Sequence, residues 1–314
     1  RLADAIATAI VDACSEPTPD SALRASSAAL RHMSHAPLTR ALAAAHCADR
    51  PASAFSDLSR PAPEAAARVS ETGTISVPST LAQARASKHW PLFRDAILSE
   101  IKGKLANGAW TVVRRPAGAH VLRSRYVFTV KYNDDASVDI VKARFIACGY
   151  SQIEGDSYDA VFAATLPGVS FRVMCACIAD EDLDTDHIDA VKAFTQAAID
   201  HKIYVEAPQM PDDPPRRSLP PWVILLHKAL EGIKQGAHLW FAHNKRAWLS
   251  LGFTSWLNEA NLYIHKELGI RVGVFADDIL AGFPRAHAAE YKAIKLAYSK
   301  LININSCEIS PALK

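Results

Sequence analysis

Two adjacent carboxylates, Asp277-Asp278, stand between the apolar runs Val272-Gly-Val-Phe-Ala276 and Ile279-Leu-Ala-Gly282. Aspartate is a good turn residue, so an acidic hairpin tip is the plainest reading of such a pair. The apolar flanks, however, hold it near a packed sheet, where like charges repel unless a cation neutralises them. A divalent ion does this, and Mg²⁺ takes one or two carboxylates, with waters and substrate phosphates completing its shell. A third carboxylate in a similar setting is Asp189, within His187-Ile-Asp-Ala-Val-Lys-Ala-Phe194. Its alternative reading is one more member of the acidic run Asp180-Glu-Asp-Leu-Asp-Thr-Asp186. That run opens with calcium-loop spacing at Asp182, Asp184 and Asp186. It then has His187 where the loop needs Gly and Ala193 where it needs Glu, which excludes an EF-hand.

Elements able to carry these residues can be read from periodicity. Pro91 suits a first helical turn, and Trp90, Phe93, Ile97 and Ile101 follow at helical spacing before Gly108, predicting a helix of roughly four turns. Arg125–Lys131 and Val138–Ala147 read as strands joined by the turn-like Tyr132-Asn-Asp-Asp-Ala136, hence a hairpin. Ile203–Glu206 and Val223–Leu226 read as short strands, and the six prolines of residues 207–221 predict a loop between them. Gln235–Leu251 reads as a helix, and Tyr291, Ile294, Tyr298 and Leu301 place another near the end. Strands and helices mix without strict βα alternation, so the fold class expected is α+β.

Composition narrows the classes further. Of 314 residues, 49% are hydrophobic and 22% charged, the balance of a globular protein with a sizeable core. The longest purely aliphatic run is Val223–Leu226, too short for a membrane-spanning helix. The six cysteines form no CxxC and no disulfide framework, which favours a reducing, intracellular compartment. No Walker loop, GxGxxG, HExxH or zinc spacing occurs. Residues 1–83 are rich in Ala, Ser and Pro and read as a disordered linker, followed by a folded domain over 84–314. Net charge is only +2, yet Lys and Arg exceed Asp and Glu by seven over 84–150 and fall short by eight over 151–200. Such segregation suggests a surface organised by charge; two ordinary solvated faces are the alternative.

The boxes around the carboxylates resemble those of reverse transcriptases. Phe275-Ala-Asp-Asp278 is similar to the aromatic-x-Asp-Asp box, and Asp189-Ala-Val-Lys-Ala-Phe194 to the Asp-Val-Lys-x-Ala-Phe box before it. The surrounding phrases resemble the copia-type retrotransposon polymerase in order and spacing. They include Asn107-Gly-Ala-Trp110, Tyr126-Val-Phe128 with Lys131, Lys142-Ala-Arg144, Gly149-Tyr-Ser-Gln152, Gly155-Asp-Ser-Tyr158, Lys228–Gln235 and Gly252-Phe253. The resemblance spans roughly residues 84–300. It implies a palm and fingers, with an antiparallel palm sheet packed on helices, and RNA-directed DNA polymerisation by two-metal nucleotidyl transfer.

Residue by residue, the resemblance makes Asp189, Asp277 and Asp278 the catalytic and metal-binding carboxylates, for Mg²⁺ or Mn²⁺. Phe194 would lie under the incoming sugar, where a ring disfavours a 2′-hydroxyl; a plain core Phe is the alternative. Gln235 would contact nucleotide and template; an exposed polar residue at a helix start is the alternative. Lys131, Lys142 and Arg144 would hold triphosphate or template phosphates. The implied partners are an RNA or DNA template-primer and dNTPs, with no membrane, and the implied location is a cytoplasmic virus-like particle or the nucleus.

The chain also departs from the family's phrases. Phe275-Ala276 stands for Tyr-Val, Glu231 for a packing Tyr, and Thr195-Gln-Ala197 for Leu-x-Gly. These changes read as drift, so an inactive relic retaining only nucleic-acid binding is the alternative function. The sequence opens at Arg1 and closes at Lys314 with no thumb, connection, RNase H or integrase phrase, which reads as a truncated copy. Little processive synthesis is expected from these residues alone.

Overall fold

The computed structural model describes residues 69–72, 75–215 and 221–309. The linker reading of residues 1–68 lies outside them. Within the expected linker, residues 69–72 form a strand and Ile75 is buried, so the folded part reaches back beyond residue 84. In chain order the elements are β1 (Val69–Thr72), α1 (Leu81–Ala86), α2 (Trp90–Ala106), β2 (Trp110–Arg114), β3 (Val121–Leu122), β4 (Ser124–Tyr132) and β5 (Ser137–Ala147). There follow α3 (Gly168–Asp180), β6 (Asp184–Asp189), β7 (Tyr204–Glu206), β8 (Trp222–Leu226) and α4 (Gly236–Ser250). The chain continues through β9 (Thr254–Trp256), β10 (Glu259–His265), β11 (Ile270–Phe275), β12 (Asp278–Phe283) and α5 (Ala288–Leu301). The mixture is α+β, with antiparallel pairing throughout except between β3 and β7. The described residues form two compact units, one of those up to 151 with 202–233 and one of 152–201 with those from 234 onward.

The first unit holds two sheets, ordered β1-β5-β4 and β2-β8-β7-β3. The β4–β5 hairpin forms as its alternation predicts, with Tyr126 opposite Phe145 and Phe128 opposite Ala143. These side chains are buried, and the period of α2 meets them with Phe93, Ile97 and Ile101. Phe93 and Phe128 pack edge to face with centroids 5.3 Å apart. Beneath α2, the fully buried Lys104 pairs with Glu100 at 3.3 Å and with Glu231. Glu231 is thus not a stray charge, because a buried cation from α2 meets it.

The second unit is a five-stranded sheet, ordered β6-β12-β11-β10-β9, with helices on both faces. On one face Ile188, Val272, Ile279, Ala281 and Phe283 join a core with Trp240 and Trp248 of α4 and Tyr291 and Tyr298 of α5. Trp248 stacks on Tyr298 and Phe283 on Tyr291, each with centroids 4.2 Å apart. On the other face α3 packs Met174 and Ile178 beside Leu262 and Leu166. That approach requires glycine at two strand positions. A Cβ on Gly273 would stand 2.8 Å from Met174 Sδ, and one on Gly282 2.6 Å from Ile178 Cγ1.

Two elements of this unit have weak sequence signals. Helix α3 buries only Met174 and Ile178, too narrow a stripe to read from GVSFRVMCACIAD. Strand β6 is the end of the acidic run. Its Asp186 is buried because α5 brings the Tyr291 hydroxyl to 2.6 Å and Lys295 Nζ to 2.7 Å. Burial, and then the Asp186 hydrogen bond, push the Tyr291 hydroxyl far above its usual range. Asp182 and Asp184 share Arg285 and Glu181 meets Arg271, so protein cations compensate part of the run.

Candidate active site

Strands β11 and β12 are joined by a two-residue turn, Ala276-Asp277, closed by the pair Phe275–Asp278. Ala276 takes φ +55°, a left-handed conformation that costs a residue with a Cβ. The Trp240 indole N–H donates to the Ala276 carbonyl at 2.9 Å and braces the turn. Strand β12 then pairs with β6 so that Asp278 lies directly opposite Asp189. The Ala190 N–H donates to the Asp277 carbonyl at 3.0 Å, continuing the ladder to the tip. On its other side β6 is extended by residues 303–305. Asn305 N–H donates to the Asp189 carbonyl at 3.0 Å, and Val191 N–H to that of Asn303 at 2.9 Å. Gln196 fastens this return strand, donating to the carbonyls of Val191 and Asn303 and accepting from Asn303 N–H at 2.6 Å. The departure Thr195-Gln-Ala197 therefore has partners of its own.

Strand alternation decides which face the carboxylates share. Ile188, Ile279 and Ala281 belong to the core under α4 and α5, so Asp189 and Asp278 belong to the opposite face, the one α3 covers. Met174 and Ile178 sit over Gly273 and Gly282, farther from the hairpin tip, which leaves Asp278 and Phe275 exposed. His187, two residues before Asp189, shares this face, and its Nε2 lies 3.1 Å from Asp278 Oδ1. Three carboxylates form a hard-oxygen donor set that fits a divalent ion of the Mg²⁺ type. Backbone register brings the residues to one end of one sheet. Among the described residues, however, no three His, Cys, Asp or Glu side chains already stand grouped to hold an ion.

The other expected site residues fall in both units. Phe194 lies in the same unit as the carboxylates, partly buried against the core. Gln235 precedes α4 and is not an exposed helix-start residue but fully buried. Gln152 donates to Gln235 Oε1 at 2.9 Å, and Gln235 Nε2 donates to the Ser157 carbonyl at 2.7 Å and to Asp200 at 3.3 Å. Gln152 also accepts from Lys234 N–H at 2.7 Å. With its amide committed to Gln152, Ser157 and Asp200, Gln235 fastens loop 152–158 to the start of α4. Asp200 Oδ1 also lies 3.1 Å from His201 Nδ1, and this carboxylate holds the imidazole pKa above the usual histidine value.

Lys131, Lys142 and Arg144 lie in the other unit, on the open face of the β4–β5 hairpin opposite the Phe93 packing. The same alternation adds Arg125, and the exposed Arg123 stands just before β4; the sequence reading missed both. Both arginines line a cleft of about 510 Å³ with Cys148, Tyr150 and Glu206.

Comparison with known proteins gives this geometry its family. The family model described as reverse transcriptase (RNA-dependent DNA polymerase) matches residues 107–303 and so covers every candidate site residue. The chain belongs to the reverse transcriptase family. It is 30% identical over 208 residues to a retrovirus-related Pol polyprotein from transposon RE1 of Arabidopsis thaliana, covering 65% of this chain and 14% of that protein. It is 27% identical over 146 residues to the Pol polyprotein from transposon TNT 1-94 of Nicotiana tabacum, covering 46% of this chain and 11% of the relative. This reverse transcriptase segment therefore spans about one seventh of the length of the RE1 and RE2 Pol polyproteins and is a retrotransposon-type sequence, consistent with the copia resemblance.

Proposed function

We propose that the two units are the fingers and palm of an RNA-directed DNA polymerase of a copia-type retrotransposon, which adds dNTPs to a template-primer. The observation that carries this reading is the register of β6 on β12. It sets Asp189 opposite Asp278 beside the Asp277 turn, at the end of the sheet face that α3 leaves open. Asp189, Asp277 and Asp278 would hold two divalent ions. When bound, such ions neutralise developing charge on the attacking 3′-oxygen and the leaving pyrophosphate. Phe194, half-buried beyond Asp189, limits space at the sugar, and its backing by the core gives that limit rigidity. Gln152 and Gln235 order loop 152–158 and the start of α4. Arg123, Arg125, Lys131, Lys142 and Arg144 bind phosphates of template-primer or triphosphate.

Single-nucleotide addition to a primer annealed to RNA tests the reading without requiring processivity. We expect Mg²⁺- or Mn²⁺-dependent incorporation that Asp277→Asn lowers by at least about a hundredfold, since removing a ligand of a catalytic ion removes several kcal/mol of charge stabilisation. Template-primer binding without incorporation under either metal would identify the chain as a relic instead.

A further inference from the structure

We propose that His187 is a positioning residue for the metal-binding carboxylates, orienting Asp278 through the hydrogen bond from its Nε2 to Oδ1. The inference rests on the reading of Asp189, Asp277 and Asp278 as ligands. Four observations carry it. His187 and Asp189 are two apart on β6 and so share a face. Asp278 stands opposite Asp189, which places His187 diagonally beside Asp278 on that face. The imidazole Nε2 lies 3.1 Å from Oδ1, within hydrogen-bond range, while Oδ2 has no hydrogen bond among the described residues. Both side chains are accessible, His187 at 52% and Asp278 at 60%, so a ligand can reach the oxygen that the hydrogen bond does not use.

The consequence follows from how carboxylate ligands behave. A carboxylate on a single exposed strand turn samples several rotamers, and gathering it to an ion costs the entropy of fixing them. An N–H donor on one oxygen restricts the rotation beforehand and leaves the second oxygen for coordination. Hydrogen-bonding partners of this kind typically contribute ten- to hundredfold to metal affinity. Because an ionised carboxylate oxygen only accepts, the N–H of this hydrogen bond is the imidazole's, at Nε2. The residue therefore supplies a donor and does not coordinate the ion.

Mn²⁺ binding, followed by loss of the free-ion electron paramagnetic resonance signal, tests this on the full chain without reference to synthesis. Wild-type protein should bind Mn²⁺, and Asp189→Asn should abolish strong binding. His187→Ala should weaken it about tenfold with the metal-free melting temperature unchanged. His187→Gln, which returns an N–H donor at similar reach, should recover most of that loss. Independently, ¹⁵N shifts of the wild-type His187 ring should report the Nε2–H tautomer. Equal affinity in wild type and His187→Ala, no recovery with Gln, or an Nδ1–H tautomer would each overturn the positioning role while leaving the metal site intact. Absence of Asp189-dependent Mn²⁺ binding in the wild type would overturn the metal site and the positioning role together.

Discussion

Two residues that look like damage in the sequence have partners in the fold. Glu231, where the family carries a packing aromatic, receives Lys104, whose ammonium is buried between Glu231 and Glu100. The three groups are interdependent, because removing the cation deprives both carboxylates of the ammonium they share. Lys104→Met should therefore destabilise the first unit by about 3 kcal/mol, the usual scale for breaking a buried ion pair. Combining it with Glu231→Tyr should recover a large part of that loss in urea denaturation. If Lys104→Met alone is neutral, the ion pair does not compensate for Glu231. Ala276 is a true cost at the hairpin tip, at φ +55°, offset locally by the Trp240 hydrogen bond to its carbonyl.

At the level of elements, the position of α3 on the sheet sets how much of the carboxylate face stays open. That contact is made through absent side chains, since Gly273 and Gly282 let Met174 and Ile178 approach the strands. Gly282→Ala should cost about 1–3 kcal/mol by overpacking against Ile178. The double variant with Ile178→Ala should lose clearly less than the sum of the two single changes, because the second removes the atom the new methyl meets. Strict additivity in thermal unfolding would rule out this clash. On the other unit, the four cations of the β4–β5 face and the neighbouring Arg123 would act as a set in phosphate binding. Each phosphate contact removed by reversal of Arg123, Arg125, Lys131, Lys142 or Arg144 should flatten the plot of log affinity against log salt by about one. An unchanged slope after reversing three of them would make this face merely solvated.

Across the whole molecule the charge blocks of the sequence separate with the units. The basic stretch 84–150 belongs to the first unit, and residues 152–200 of the acidic stretch belong to the second. The second unit spends much of its acidity internally, on Lys295, Arg271, Arg285 and His201. The units should also respond oppositely to acid. His201 has its pKa raised, chiefly by the Asp200 hydrogen bond, so its contribution is lost as pH rises through that raised value and is full below about 6.5. His227, in the first unit, has its pKa lowered by burial and then by Lys228, so its contribution is full above about 6.5 and falls as pH drops toward the depressed value. Hydrogen exchange followed from pH 8 to 5 should show protection rising in residues around His201 first and then falling around His227. Parallel changes in both would contradict these environments.

The sequence by itself determined the local pieces: the period of α2, the alternation of β4 and β5, the apolar runs flanking Asp277-Asp278, and the α+β class. These signals are short-range, carried within one turn or one pleat. Tertiary structure decided three things that no local pattern contains. Asp189 meets Asp278 because two strands far apart in sequence pair in one register, and a one-residue slip would have sent the carboxylate to the core face. Strand β6 exists although its residues are mostly polar, because α5 supplies Lys295 and Tyr291 to the buried Asp186. The alternative reading of Gln235 as an exposed helix start fails, since Gln235 is interior, where Gln152, Ser157 and Asp200 satisfy its amide. In the last two cases a buried polar residue is stable at its position only through partners from remote segments, because a buried polar group is tolerated only when such partners arrive.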